Sequence, residues 1–140
     1  MKRVKIWIKG MQTVNGDSEE IEFISDGTLR CADGGFKICY SDGELQGYSQ
    51  KVNTELFVSN QNRAILSRTG AISSKLIIKE GERNNCFYNT AAGELVIGIY
   101  GEKVSYRLTE NGGTVSLAYT IDQNMKEISK NKVNITVKEI

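Results

Sequence analysis

The sequence contains no histidine and no proline among its 140 residues. Without histidine, the chain cannot build a Ser-His-Asp or Cys-His nucleophilic site, nor a zinc site that uses imidazole. Without proline, its tight turns must be made mainly by glycine, asparagine and aspartate, which tolerate positive φ or bond their own backbone. The two absences exclude the commonest hydrolytic centres and indicate turns built from these three residue types.

The sequence also lacks a long apolar run, which a membrane-spanning helix would need. Its first residues, MKRVKIWIKG, interleave basic with apolar side chains, whereas a secretory signal has a continuous apolar segment. We therefore expect a soluble, cytoplasmic protein without a membrane partner.

The sequence also lacks an excess of charge of one sign, because its 18 basic and 17 acidic residues give a net charge of +1. Nucleic-acid-binding proteins usually carry a clustered positive footprint, and we expect no such partner here. The three cysteines, Cys31, Cys39 and Cys86, lack CxxC spacing and are expected to be reduced thiols. No calcium-loop or phosphate-loop motif occurs, so no metal and no cofactor are expected.

Alternating apolar and polar residues dominate the chain and predict β-strands. Val4, Ile6 and Ile8 alternate with Lys5, Trp7 and Lys9, and the clearest single strand is predicted over Gln50 to Ser59. Asn15-Gly16 and Asp26-Gly27 are predicted to be turns that end strands. Gly98, inside a strand, predicts a bend or a close backbone approach, and a change of alternation before Val133 predicts a bulge near Asn131.

The stretch 63–100 contains four apolar bursts, each closed by a glycine or a polar turn. Arg68 ends the first burst. If Ala64 faces the interior, Arg68 faces it too, and its planar guanidinium could bind a carboxylate there. Alternatively, Ile65 and Ser67 face inward and Arg68 is solvated, or Arg68 pairs with a buried Glu55.

Tyrosines are distributed over several predicted strands, and some should line the interior. A phenol there offers an apolar body and a polar hydroxyl, although most strand tyrosines only pack. Tyr88, Tyr106 and Tyr119 are the candidates for ligand contact beside Arg68. Tyr106 and Tyr119 are in phase with the aliphatic residues of their strands.

The order and spacing of residues from the first burst onward resemble those of the YwiB-like family, small bacterial proteins classed as a domain of unknown function. The matching residues are Arg68, Gly70, Leu76, Gly81, Tyr88, Thr90, Gly93, Leu95, Gly113, Val115, Leu117 and Tyr119. The resemblance implies a calycin-like, or lipocalin-like, β-barrel. It implies no activity, cofactor or catalytic residue.

The sequence thus predicts one all-β domain over residues 1–140, an antiparallel, mostly up-and-down barrel of eight to ten strands. Its expected function is to bind a small, mostly apolar ligand, anionic where it pairs with Arg68, as a monomer or small homo-oligomer. A first alternative is a structural or interaction barrel with a filled interior. It is indicated by Trp7 and Ile24, which are out of phase with the other apolar residues of their strands and could be exposed. A second is a cofactor-free enzyme that uses Arg68, a tyrosine and Glu55.

Overall fold

Ten antiparallel strands make up the protein, as a computed structural model that describes residues 1–41, 52–70, 73–90 and 93–140 shows. The strands are β1 (Lys2–Val14), β2 (Asp17–Ala32), β3 (Gly35–Ser41), β4 (Val52–Ser59), β5 (Arg63–Gly70), β6 (Ser73–Lys79), β7 (Arg83–Thr90), β8 (Gly93–Thr109), β9 (Gly112–Gln123) and β10 (Lys126–Glu139). The all-β prediction and the upper estimate of strand number are confirmed.

Each strand pairs with its neighbours in sequence, and β1 pairs with β10 to close the barrel. The closing ladder runs from Val4 opposite Glu139 to Thr13 opposite Lys130. Closure leaves no sheet edge along this ladder, so neither the first nor the last strand is free to pair with another chain. The predicted up-and-down topology is therefore confirmed.

Most turns use the expected residue types, and Met125, with positive φ before β10, is an exception. Asn15 and Gly16, between β1 and β2, both have positive φ, as do Asn62 before β5 and Asn124 before β10. Asparagine and glycine adopt this conformation at low steric cost, so they set the hairpin turns in a chain without proline.

The predicted turn at Asp26-Gly27 is wrong, because β2 runs straight through it. A Cβ on Gly27 would lie 2.2 Å from the carbonyl oxygen of Cys39 and 2.6 Å from the Cδ1 of Ile6. The glycine therefore marks close packing of β1, β2 and β3 rather than a chain reversal.

Two other irregularities lie within long strands. The register of β9 with β10 shifts between Glu127 and Ser129, slightly before the bulge predicted near Asn131. The register of β8 with β9 shifts between Gly101 and Lys103, within the continuous strand β8. Bulges of this kind bend a strand without ending its pairing.

Alternate side chains of every strand face the barrel interior. The strand ends at Ala32, Ser59, Lys79 and Thr109 and the two chain termini lie at one end of the barrel, here named the terminus end. The opposite end, with the turn at Asn15-Gly16, is named the loop end.

Fully buried apolar side chains are concentrated toward the terminus end. They include Val4, Leu29, Val58, Ala64 and Ile78, none more than 1% exposed. This half of the barrel is a packed apolar core. No helix in the described part of the chain is long and apolar enough to cross a membrane.

Candidate functional site

Arg68 on β5 faces the interior of the barrel. It shares its parity with Ala64, which is fully buried, and the Nε atom of Arg68 is itself buried. Its direct neighbours across the ladders are Thr54 on β4 and Ser74 on β6, both under 9% exposed. Arg68 therefore lies in an inward row of polar groups, toward the loop end of the apolar core.

Glu55 lies on the outer face of the barrel. It lies opposite Cys39 and Ser67, which have outward parity, and its Oε1 is 3.3 Å from the Nζ of Lys37. The interpretation that Ser67 belongs to the inner set is wrong, and Glu55 does not meet Arg68 in the lumen. The residues named for a cofactor-free enzyme are thus not brought together.

Tyr119 on β9 lines the interior at a position where the charge of Arg68 acts on its phenol. Burial raises the pKa of Tyr119, and the positive charge of Arg68 opposes that rise in part. The phenol consequently stays neutral and can donate a hydrogen bond at physiological pH. Two of the four predicted ligand contacts, Arg68 and Tyr119, are therefore within electrostatic reach of each other.

Two further polar side chains stand beside Tyr119. Asn131 lies directly opposite it on β10, and the Nδ2 of Asn131 donates a 3.0 Å hydrogen bond to the Oγ of Ser129. Both residues are under 9% exposed. The sequence analysis predicted only a bulge near Asn131. Asn131 is also in phase with Val133 and Ile135, and this alternation is the signal that its side chain faces inward.

The other two predicted tyrosines lie at different levels. Tyr88 on β7 pairs with Ser74 and Leu95 and continues the inward polar row toward the loop end. Tyr106 lies toward the terminus end, where its ring packs edge-on against Phe36 with centroids 6.0 Å apart. The fold brings Tyr88 into the same row as Arg68 but holds Tyr106 in the apolar core.

This arrangement can hold a ligand through hydrogen bonds and charge. One guanidinium, a neutral phenol, an amide and several hydroxyls face an otherwise apolar interior, and such groups orient an anionic or polar ligand. Within the described ranges, cysteine and acidic residues form no group of three that could hold a metal ion. The site offers hydrogen bonds and one positive charge.

Two of the three thiols, those of Cys39 and Cys86, do not add a nucleophile to the lumen. Burial raises the pKa of Cys86, which is 2% exposed, while the backbone N–H of Ile77 partly offsets that rise. Burial and the nearby Glu55 carboxylate also raise the pKa of Cys39, on the outer face. Both thiols stay protonated at neutral pH, and a protonated thiol is a poor nucleophile.

Comparison with known proteins agrees with this fold. A family model described as a domain of unknown function, DUF1934, matches residues 6–135. The crystal structure of the ywiB protein from Bacillus subtilis is similar, with a TM-score of 0.87 and 22% identity over 99% of this chain and 92% of that one. At this identity the likeness shows a shared fold. No curated protein matches the sequence. Because the family model spans nearly the whole barrel, the chain belongs to the DUF1934 family, as its resemblance to the YwiB-like family implied.

Proposed function

We propose that the protein binds one small ligand inside the barrel, with an apolar body and an acidic group that pairs with Arg68. The observation that carries this proposal is the inward direction of Arg68, above a packed apolar core. The planar guanidinium of Arg68 can bind an acidic group bidentately, and such a charge-assisted pair is stronger where the surroundings exclude water.

The width of the barrel supports this proposal. Barrels of eight strands are just wide enough to fill with side chains or to hold one small ligand, and the diameter grows with strand number. Ten strands enclose this interior. Several inward side chains above the core, including Leu66, Tyr119 and Ile121, are only partly buried. These side chains leave accessible surface that an apolar ligand can cover.

Polar groups on two walls suit a ligand whose acidic head has more than one oxygen. Arg68 can bind one carboxylate bidentately through its planar fork. Tyr119 and Asn131, on the opposite strands, offer O–H and N–H donors to another oxygen. Since a reducing compartment keeps thiols free, the exposed, unbridged Cys31 suits a cytoplasmic ligand.

Two measurements test the proposal. Native mass spectrometry of protein purified without denaturant should show a small bound mass. The anionic dye anilinonaphthalene sulfonate, which reports apolar sites, should fluoresce with the wild type and bind at least tenfold more weakly to Arg68→Leu. A neutral naphthalene dye should bind both proteins with similar affinity, because it has no charge to pair.

Arg107→Leu is the matched control, because Arg107 is an exposed arginine on the outer face of β8. If Arg68→Leu does not fold, Arg68→Lys is the alternative variant. It keeps the charge and should retain most of the anionic dye binding. A bare native mass together with no dye binding would exclude the proposal. Equal weakening by Arg107→Leu would also exclude it.

A filled barrel that binds a partner protein is the second candidate function. Trp7 and Ile24 are directly paired on the outer face of β1 and β2, and they are 36% and 58% exposed. With Lys9 and Glu22 they line a surface depression. This candidate is favoured if the native mass is bare and the dyes do not bind.

A further inference from the structure

The outer face of β5 and β6 places two cations directly beside each other. Arg63 lies opposite Lys79 in the β5–β6 ladder, and both side chains face outward. Like charges in directly opposite strand positions repel each other and destabilise a sheet. The pair is therefore an unfavourable arrangement in the protein by itself.

On the opposite wall of the barrel, lysines lie beside acidic residues. Lys5 lies opposite Asp26 and Lys9 opposite Glu22, and each pair forms an ion pair, at 3.9 and 3.6 Å. Acidic residues are thus placed beside cations on β1 and β2. At Arg63 and Lys79 the same kind of ladder position carries a second cation instead.

Arg63 also lacks a partner for a buried donor. Its Nε atom is buried and makes no hydrogen bond within the part of the chain that the structure describes. Lys79 donates to a backbone carbonyl, with 2.7 Å between its Nζ and the oxygen of Gln61. An incoming carboxylate can accept from the solvent-accessible part of the Arg63 guanidinium and lie between the two cations, which removes the repulsion.

An apolar stripe adjoins the two cations. Phe57 on β4, Ile65 on β5 and Ile77 on β6 follow one another across the ladders with outward parity, and all three are half-buried. Phe57 and Ile65 line a surface groove, with Lys37 and Lys75 at its edges. An apolar segment with acidic residues on either side complements this pattern of charge and surface.

Two carboxylates also line the groove, and they disfavour a nucleic acid as the partner. Glu55 is paired with Lys37, and Asp33 lies in the turn after β2. A continuous phosphate backbone would pass both of them, whereas a peptide can place its carboxylates at Arg63 and Lys79 alone. The stripe contains one aromatic ring, too few for the stacked bases of single-stranded nucleic acid.

We propose that this face, here named the β4–β6 face, docks an acidic amphipathic segment of a partner protein, with a carboxylate between Arg63 and Lys79 and apolar residues on Phe57 and Ile65. It comprises Phe57, Arg63, Ile65, Lys75, Ile77 and Lys79. The face lies outside the barrel, so this docking is independent of a ligand at Arg68.

The probe that tests this is a fluorescein-labelled ten-residue peptide that alternates glutamate with leucine. In a fluorescence anisotropy titration at low salt, the wild type should bind it, and Arg63→Glu should weaken binding at least tenfold. Phe57→Ser should weaken it as well. Raising the salt concentration should reduce the affinity several-fold, since exposed charges are screened.

Arg63→Glu is a suitable variant because it creates an opposite-charge pair with Lys79 and should keep the fold, which its melting temperature verifies. Lys132→Glu, an exposed outer-face change on β10, is the matched control and should leave binding unchanged. A peptide with serine for leucine should bind more weakly. Arg68→Leu should bind the peptide as the wild type does, which separates this docking from the lumen site.

Three outcomes would overturn the proposal. They are no binding of the peptide to the wild type, equal binding by Arg63→Glu, and tighter binding of a ten-nucleotide oligothymidine or of phosphatidylserine vesicles than of the peptide. The last would assign the face to a nucleic acid or a membrane surface.

Discussion

At the residue scale, an arginine crosses the outer face of one strand to reach the next. Arg83 on β7 extends over Gly98 of β8 and binds Asp122 of β9 at two points, with Nε to Oδ2 at 2.9 Å and Nη2 to Oδ1 at 2.6 Å. A Cβ on Gly98 would lie 2.2 Å from the Nη2 of Arg83. The sequence predicted a bend or a close backbone approach at Gly98, and the group that approaches is the side chain of Arg83.

This ion pair makes stability depend on pH. The hydrogen bonds from Arg83 hold the pKa of Asp122 below its usual range. A lowered folded-state pKa stabilises the fold above the unfolded value, about 3.9, and this contribution is lost as pH falls through the folded pKa. Asp122→Asn should therefore lower the urea midpoint at pH 7, and its difference from the wild type should shrink toward pH 3.

Asp26→Asn is the control for this prediction, because Asp26 is exposed and its ion pair with Lys5 is long. It should change the midpoint little. Gly98→Ala should displace Arg83 and mimic Asp122→Asn, and the double variant should be less destabilised than the sum of the two. A constant effect of Asp122→Asn from pH 7 to pH 3 would contradict this account.

At the scale of elements, the β6–β7 hairpin has an interrupted ladder. Ser73 to Lys75 pair with Phe87 to Asn89, and beyond them the backbone N–H of Ile77 donates to the Sγ of Cys86 at 3.3 Å. A thiol thus occupies the place of a backbone carbonyl. Ile77 is half-buried on the outer face and also packs against the core.

Cys86→Ala should weaken the pairing of β6 with β7 locally. It leaves the N–H of Ile77 without its acceptor, and an unmade buried hydrogen bond costs about 1–3 kcal/mol. Hydrogen exchange should become faster at Ile77 and its neighbours, with little change in the closing ladder of β1 and β10. Cys39→Ala, on the outer face, should leave exchange at Ile77 unchanged. Uniformly faster exchange over the whole barrel would show instead that the thiol only fills space.

At the scale of the whole molecule, the barrel depends on contacts between its first and last strands. Ile6 on β1 is fully buried and lies opposite Val137 on β10, so its side chain joins the two ends of the chain. Pairing strands that are so distant in sequence costs loop entropy, which makes closure slow. The apolar core at the terminus end stabilises that closure.

Ile6→Ala should lower the free energy of unfolding by about 2–5 kcal/mol, because it removes buried surface and leaves a cavity in a packed core. Urea denaturation followed by tryptophan fluorescence measures this, since Trp7 is the neighbouring residue and the single tryptophan. Lys5→Ala, its other neighbour, should change stability by less than about 0.5 kcal/mol. A similar loss in both variants would contradict the assignment of Ile6 to the core.

Local sequence by itself determined the elements of this protein. Alternation at Val4, Ile6 and Ile8 is a period-2 signal that only a half-buried strand satisfies, and Asn15-Gly16 specifies a hairpin turn through backbone sterics. Both were correct because each depends on neighbours in sequence. The turn proposed at Asp26-Gly27 failed because the glycine responds to Ile6 and Cys39, which are distant in sequence.

Only the tertiary structure decided which groups share a site. Parity left Arg68 inward or outward, since a one-residue change of register exchanges the two faces of a strand. The burial of Ala64 and the pairing with Thr54 and Ser74 settled that choice. The neighbourhood of Arg68 and Tyr119 depends on strands that barrel closure brings together, and the pairing of Arg63 with Lys79 depends on the β5–β6 register. No local pattern encodes either.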